Sequence, residues 1–255
     1  MTAVPEFFVV IPARFASTRF PGKPLAQIAG RPMIRHVFER ACASGAAEVI
    51  LATDDKRIAE VARGFGAAVV MTRTEHVSGT ERVAEVAVHR GWARDALVVN
   101  VQGDSPLVAP ENIGAVAELL AQHPAASIAT LCTPITSVHE YTSRNIVKVV
   151  MDQSGRALYF SRASIPSTAH GAAGLPAAWR HLGLYAYRAA DLSRLSRAPP
   201  CALEETERLE QLRALWLGME IRIGIAPRIP GPDVDAPDDV AAVERIIAAA
   251  GTTAA

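Results

Sequence analysis

The chain has 255 residues, enough to bury a sizeable core without disulfide or metal staples, and its 26 Lys plus Arg balance 26 Asp plus Glu. That neutrality leaves no global field to draw it to nucleic acid or anionic lipid, so any anion it binds must be gripped locally. Half of the residues are apolar, yet no apolar run reaches the roughly 18 residues of a membrane helix, and the N-terminus lacks the basic region of a signal peptide, so a cytoplasmic protein is expected.

The first predicted strand covers residues 7–11, an unbroken apolar run rich in β-branched side chains, as a strand covered on both faces requires. A polar loop with Gly and Pro spans 14–31, after which Pro32 opens a helix with Ile34, Val37, Phe38, Ala41 and Cys42 on one face, ended by Gly45. A second strand at 49–52 leads to a helix capped by Asp54 or Asp55, with Ile58, Val61, Ala62 and Phe65 as its apolar stripe. A third strand covers 67–71. Ser78-Gly79-Thr80-Glu81 has the S-x-x-E spacing of a capping box ahead of Val83, Val86 and Ala87, so a helix starts there with its N-terminus aimed at the preceding loop. A strand at 97–101, a helix opened by Pro110 that buries Ile113, Val116, Ala117, Leu120 and Ala121, and a strand at 127–131 extend the alternation. Strands alternating with helices imply an α/β fold with a wound, mostly parallel sheet.

After Pro134 the alternation weakens. Strands at 147–151 and 157–160 and a Gly- and Ala-rich loop at 167–178 read as an inserted smaller sheet region. A charged helix at 203–217, a strand at 221–225 and a helix carrying Val240, Val243 and Ile247 close the chain, with the Ala-rich tail from Ala248 read as a frayed end. Cys42, Cys132 and Cys201 are far apart with no C-x-x-C pair, so they read as buried small hydrophobes rather than a disulfide or zinc framework.

In an open parallel sheet, ligands sit beyond the carboxyl ends of the strands. After the first strand, Arg14, Arg19 and Lys23 place three cations within ten residues, among small residues whose backbone N–H groups can approach a polyphosphate. Pro24 after Gly22-Lys23 breaks the P-loop spacing, and the dinucleotide fingerprint G-x-G-x-x-G is absent. His36, His89, His123, His139 and His170 form no metal-binding spacing, and no G-x-S-x-G elbow argues for a hydrolase.

Residues 11–25, IPARFASTRFPGKPL, closely resemble the N-terminal signature of the 3-deoxy-manno-octulosonate cytidylyltransferases, also called CMP-Kdo synthetases. The resemblance continues in order through ATDD at 52–55, MTRTEHVSGTER at 71–82, VNVQGD at 99–104, VKVV at 147–150, ALYFSR at 157–162, RHLG at 180–183, LEQLR at 209–213 and VDAP at 234–237. One departure is Ser105, where the family usually has an acidic residue.

The resemblance implies a nucleotidyltransferase (Rossmann-like) sheet forming a single domain over 1–255, with a dimerisation and sugar-binding insertion around 134–220. It implies a Mg²⁺-dependent homodimer that transfers a cytidylyl group from CTP to Kdo for lipopolysaccharide assembly, with small-molecule substrates and neither nucleic-acid nor membrane partners. Arg14, Arg19 and Lys23 would neutralise the triphosphate, with Lys23 at the α-phosphate and leaving group, and Asp104 and Asp235 would hold the metal. Ala13, Ser78, Gly79, Thr80, Arg82 and Gln102 would contact the nucleotide. Arg162 would clamp the sugar carboxylate, while His181, Tyr185, Glu210 and Gln211 would meet its hydroxyls.

The residues also admit plainer readings: Ser78 and Glu81 as a helix cap, Asp104 as a turn residue, His181 as a core histidine, and Glu204, Glu205, Glu207 and Arg208 as a solvated face. Rival activities are CMP activation of 8-amino-Kdo or a sialic acid, and a non-catalytic nucleotide-binding module, against which the presence of Lys23 and Asp104 argues.

Overall fold

The computed structural model describes residues 5–16, 20–168 and 175–252, the last three for backbone only. β1 (Phe7–Ala13) is followed by a 3₁₀ turn over Lys23–Leu25 and an antiparallel ribbon of β2 (Gln27–Ile28) and β3 (Arg31–Pro32). Then come α1 (Met33–Cys42), β4 (Glu48–Thr53), α2 (Lys56–Gly64), β5 (Ala68–Met71), α3 (Gly79–Arg90), β6 (Leu97–Asn100), α4 (Pro110–Gln122) and β7 (Ile128–Pro134), all close to expectation. The second half holds α5 (Val138–Thr142), β8 (Lys148–Met151), β9 (Ala157–Ser161), β10 (Trp179–Arg188), α6 (Ala189–Arg197), α7 (Ala202–Glu207), α8 (Gln211–Trp216), β11 (Ile221–Ile225) and α9 (Pro237–Thr252).

Main-sheet strands run in the order β11-β7-β10-β6-β1-β4-β5, with β8 and β9 attached through β10. β1 pairs in parallel with β4 and β6, as do β4 with β5 and β7 with β11, whereas β10 runs antiparallel between β6 and β7. One face of β1 carries Phe7, Val9 and Ile11 into a core with Ile34 and Val37 of α1, Ile58 of α2 and Ile113 and Val116 of α4. The other face carries Val10 against Val83 and Val86 of α3 and joins Leu192 and Leu195 of α6 and Leu212 of α8. The apolar run of β1 is thus explained by helices on both sides. A third cluster, Ile28, Met33, Leu107, Val234 and Val243, packs α9 onto the ribbon.

Several expectations need correction. β10 and α6 were not anticipated, and the loop expected at 167–178 lies partly outside the described residues. The helix expected at 203–217 is two short helices, because Arg208 adopts a left-handed backbone with φ 55°. Its charges form a solvated face only in part: Glu205 and Arg208 are exposed, but Glu204 pairs with the buried guanidinium of Arg213 at 2.5 Å, and Glu207 accepts from Ser161 Oγ at 2.5 Å and Arg162 N at 2.9 Å. α9 continues helically past Ala248 to Thr252. Cys132 and Cys201 are buried, but Cys42 is exposed. Asp55, not Asp54, caps α2, accepting from Arg57 N at 2.9 Å. Among the described residues no helix is long and apolar enough to cross a membrane.

β10 shapes one wall of a cavity lined by Arg180, His181 and Tyr185. It pairs with β6 only from Tyr185 to Arg188 and with β8 only at Trp179 and Arg180, and its register against β7 shifts between Leu182 and Tyr185. The carbonyls freed there are met by Thr130, whose Oγ1 lies 3.0 Å from Leu182 O and 2.8 Å from Leu184 O. His181 Nε2 lies 3.0 Å from the same hydroxyl, and its ring meets Phe160 edge-on.

Burial pushes the His181 pKa down to about 3, so the ring is neutral in the fold. In the unfolded chain it titrates near 6.5, so between these values unfolding takes up a proton and acid lowers stability. Between pH 7 and 5, urea unfolding is expected to show a stability loss about 2 kcal/mol larger for the wild type than for His181→Asn. Equal losses would mean that the folded state accommodates the imidazolium.

Candidate active site

The carboxyl ends of β1 and β6 and the loop before α3 surround a cleft of about 250 Å³ lined by Ala13, Arg14, Lys23, His76, Ser78, Gly79, Arg82, Gln102 and Asp104. The turn that delivers Lys23 is built locally. Gly22 precedes it at φ 73° and donates its N–H to Phe15 O at 2.9 Å, in a position where a Cβ would meet the Phe15 ring at 3.0 Å. The Arg57 guanidinium lies 3.4 Å from the centroid of that ring. Across the cleft, Gly103 passes so close to β1 that a Cβ would stand 2.7 Å from Pro12 O.

Lys23 Nζ donates to Asp104 Oδ2 at 2.7 Å and to Val234 O at 2.9 Å, and lies 3.7 Å from Asp235 Oδ1. Val234 N in turn donates to Asp104 O at 2.9 Å, and Asp239 Oδ2 accepts from Asp235 N and Ala236 N, both at 2.8 Å. Two carboxylates brought to one ammonium form an oxygen-only donor set that suits Mg²⁺, a hard cation that takes its remaining ligands from water and phosphate. Among the described residues no group of three or more His, Cys, Asp or Glu could hold a metal, so a cation here would depend on those further oxygens.

The loop before α3 is fastened from several sides. Ser78 Oγ caps the helix by accepting from Glu81 N at 3.2 Å, while the Glu81 carboxylate accepts from Val77 N at 3.0 Å rather than from Ser78. His76, lining the cleft, bonds Glu85 of α3. Arg82 is 3% exposed, with its guanidinium bonded to Asp54 Oδ2 at 3.0 Å, to Arg73 O at 3.3 Å and to Thr72. It lines the cleft while holding the loop against the end of β4.

Two further cavities adjoin the cleft at Gln102. The deep cavity, about 320 Å³, is lined by Asn145, Arg180, His181, Tyr185, Gln211 and Asp233, among others. The inner cavity, about 200 Å³, lies under the α3 N-terminus and is lined by Thr80, Asn100, Tyr185, Tyr187, Glu210 and Gln211. The break at Arg208 places Glu210 and Gln211 on its wall, and Thr80 Oγ1 donates to Glu210. Burial raises the Tyr185 and Tyr187 phenols well above their ordinary range, so both stay protonated donors.

The structure thus gathers Ala13, Arg14, Lys23, Ser78, Gly79, Arg82, Gln102 and Asp104 around one cleft, puts Asp235 at its Lys23, and sets Thr80, His181, Tyr185, Glu210 and Gln211 around the two adjoining cavities. Arg19 lies outside the described residues. Arg162 lines none of these three cavities. Its guanidinium donates to the carbonyls of Glu207 at 2.9 Å and Arg144 at 3.1 Å.

The sequence reading gave no role to Arg180, His76, Asn100 or Asp233. Arg180 stood beside a residue that was singled out. Asn100 is the polar end of an otherwise apolar strand, a signal that could have been read. Asp233 accepts from Ser105 Oγ at 2.5 Å, a pairing between distant segments that no local pattern announces.

A cytidylyltransferase family profile matches residues 8–221. The 3-deoxy-manno-octulosonate cytidylyltransferase of Thioalkalivibrio sulfidiphilus is 52% identical over 251 residues, covering 96% of this chain and 100% of the relative. That of Alkalilimnicola ehrlichii is 54% identical, covering 97% and 98%. Among solved structures, a CMP:2-keto-3-deoxy-manno-octonic acid synthetase complexed with CTP matches at a TM-score of 0.88 and 40% identity, covering 96% of this chain and 99% of that one. A Leptospira borgpetersenii cytidylyltransferase, at 14% identity and a TM-score of 0.63 over 96% of this chain and 87% of that one, shares the fold. With near-complete coverage at half identity, the chain belongs to the 3-deoxy-manno-octulosonate cytidylyltransferase family.

Proposed function

We propose that the basic cleft takes CTP, that the adjoining cavities take Kdo, and that the chain transfers the cytidylyl group to the sugar's anomeric hydroxyl, releasing pyrophosphate. The product, CMP-Kdo, would serve lipopolysaccharide assembly in the cytoplasm. The observation that carries the reading is the meeting, at Gln102, of a cleft rich in cations with cavities rich in hydroxyls and amides. Attack on the α-phosphorus needs its two substrates to touch at one such junction.

Arg14 and Lys23 offset the triphosphate charge, and Lys23 faces the pyrophosphate as it leaves. Its ammonium is already oriented by Asp104 and Val234 O, so little reorganisation accompanies the reaction. Mg²⁺ held by Asp104 and Asp235 would neutralise phosphate charge and make the α-phosphorus more electrophilic. Backbone groups at Ser78 and Gly79 read the cytosine, on a loop that Arg82 keeps in place.

On the sugar side, Arg180 is the cation that supports binding of the carboxylate, because it lines the deep cavity and its nearest carboxylate, on Glu140, is 3.9 Å away. Arg162 serves as a brace of the wall through its carbonyl partners. Neutral His181, with Tyr185, Glu210 and Gln211, meets hydroxyls. A single domain over 1–255 carries this chemistry, and a second copy is proposed to pack against the insertion around 134–220, where Val138, Leu158 and Trp216 expose apolar side chains.

Four experiments check the reading. Pyrophosphate release with CTP, assayed across Kdo, 8-amino-Kdo and a sialic acid, is expected to be fastest with Kdo; no release with any of them would refute the function. Lys23→Ala is expected to lower kcat by roughly 10²-fold or more with little change in CTP binding, since leaving-group charge develops in the transition state; a near-normal kcat would remove Lys23 from the chemistry. Arg180→Ala is expected to raise the Kdo KM by about 10- to 100-fold while leaving the CTP KM alone, as loss of one charge-assisted contact implies. Arg162→Ala should act chiefly on thermal stability, and the reverse pattern would return the carboxylate to Arg162.

A further inference from the structure

Asn100 ends β6 after Leu97, Val98 and Val99, all buried. It pairs with Val10 of β1 on one side and Tyr185 of β10 on the other, in the interior of the sheet. Strand alternation turns its side chain to the face of Val98, which packs with α3 and α6. There Asn100 lines the inner cavity with Thr80, Gln102, Tyr187, Glu210 and Gln211.

The residue is 1% exposed, and among the described residues its Oδ1 is the buried side-chain oxygen or nitrogen that has no hydrogen-bond partner. Asparagine is disfavoured in strands, and a buried acceptor without a partner lowers stability in a way that an apolar side chain would not. Such an atom calls for an explanation, and the wall around it supplies one. Hydroxyls, amides and one carboxylate line the cavity beside the apolar Ile128 and Leu195, with no Lys, Arg or His, so it suits neutral hydroxyl groups on a carbon frame and disfavours a phosphate or a sugar carboxylate.

We propose that Asn100 is a specificity residue for the acceptor, its side-chain amide pairing with one hydroxyl of the sugar acid that enters the inner cavity from the junction at Gln102. This rests on the acceptor being a polyhydroxylated sugar acid. It also orients that acceptor, with the carboxylate end toward Arg180 in the deep cavity and a hydroxyl end under the α3 N-terminus.

The test compares wild type, Asn100→Ala and Asn100→Leu in steady-state pyrophosphate release with Kdo and with a set of its monodeoxy analogues. In both variants the Kdo KM is expected to rise about 5- to 10-fold, the scale of one neutral hydrogen bond, with the CTP KM unchanged. For one monodeoxy analogue, wild type and variants should converge, because the partner hydroxyl is missing in each. Calorimetric binding of Kdo should show the same loss, and Asn100→Leu should unfold at or above the wild-type temperature. An unchanged Kdo KM, a rise in the CTP KM, or a loss spread equally over every analogue overturns the assignment, the last because it marks a brace of the sheet or a holder of ordered water. Failure of the wild-type protein to use Kdo at all would instead overturn the functional reading, so the two failures are distinguishable.

Discussion

The Lys23 ammonium ties together segments that the chain keeps far apart. Asp104 is 81 residues away in sequence and Val234 is 211 away, yet both accept from the same Nζ. The Lys23 side chain is only 12% exposed, so its charge depends on those partners to replace water. Removing one acidic partner would leave an unbalanced charge at the mouth of the cleft, and removing the lysine would leave two carboxylates facing each other. The apolar cluster of Ile28, Met33, Leu107, Val234 and Val243 supports this arrangement, because it packs Val234 and α9 against β2 and the start of α1, just after the turn that carries Lys23. Packing and electrostatics are therefore one constraint here, since the segment that supplies Asp235 is held by the burial of its neighbour Val234.

The first half of the fold was legible because each element there obeys a local rule. β1 is apolar on both faces as a central parallel strand must be, α2 and α3 begin at side-chain caps, and Pro110 opens α4 where its missing N–H costs nothing. The second half breaks those rules for tertiary reasons. β10 changes partner midway, from β8 to β6, and its buried residues fall on both faces around a register shift, so period-2 alternation is lost. The helix expected at 203–217 has good helical composition, but Arg208 takes the left-handed conformation that turns Glu210 and Gln211 to the cavity, against a preference that composition alone cannot overrule. α6 offered only Ala189, Leu192 and Leu195 as its buried stripe, too thin a pattern to separate from loop.

The site divides in the same way. Residues of the cleft sit in contiguous runs at strand ends, where topology forces ligands to lie, so Arg14, Lys23, Gln102 and Asp104 could be read along the chain. Residues of the two adjoining cavities come from β10, α8 and the turn after β6, and which side chains face the cavity is set by tertiary packing. Arg162 and Arg180 illustrate the limit. Both carry equal charge in motifs of the family resemblance, and what separates them is that the carbonyls of Glu207 and Arg144 occupy the Arg162 guanidinium whereas Arg180 lines the deep cavity.

A hydrogen bond from Thr80 to Glu210 joins the border of the cleft to the wall of the inner cavity. Thr80 belongs to the first turn of α3, which borders the basic cleft, and Glu210 to the bend before α8, which borders the inner cavity. Glu210 is also 3.8 Å from the Arg213 guanidinium, which Glu204 holds at 2.5 Å, so the loop before α3 is tied to a charged network in the second half of the chain. A displacement of the α3 N-terminus would, through this bond, be passed to Glu210 and its neighbour Gln211. Ordering side chains after a ligand binds subtracts from affinity, and this bond already holds the Glu210 carboxylate in place on the wall of the inner cavity.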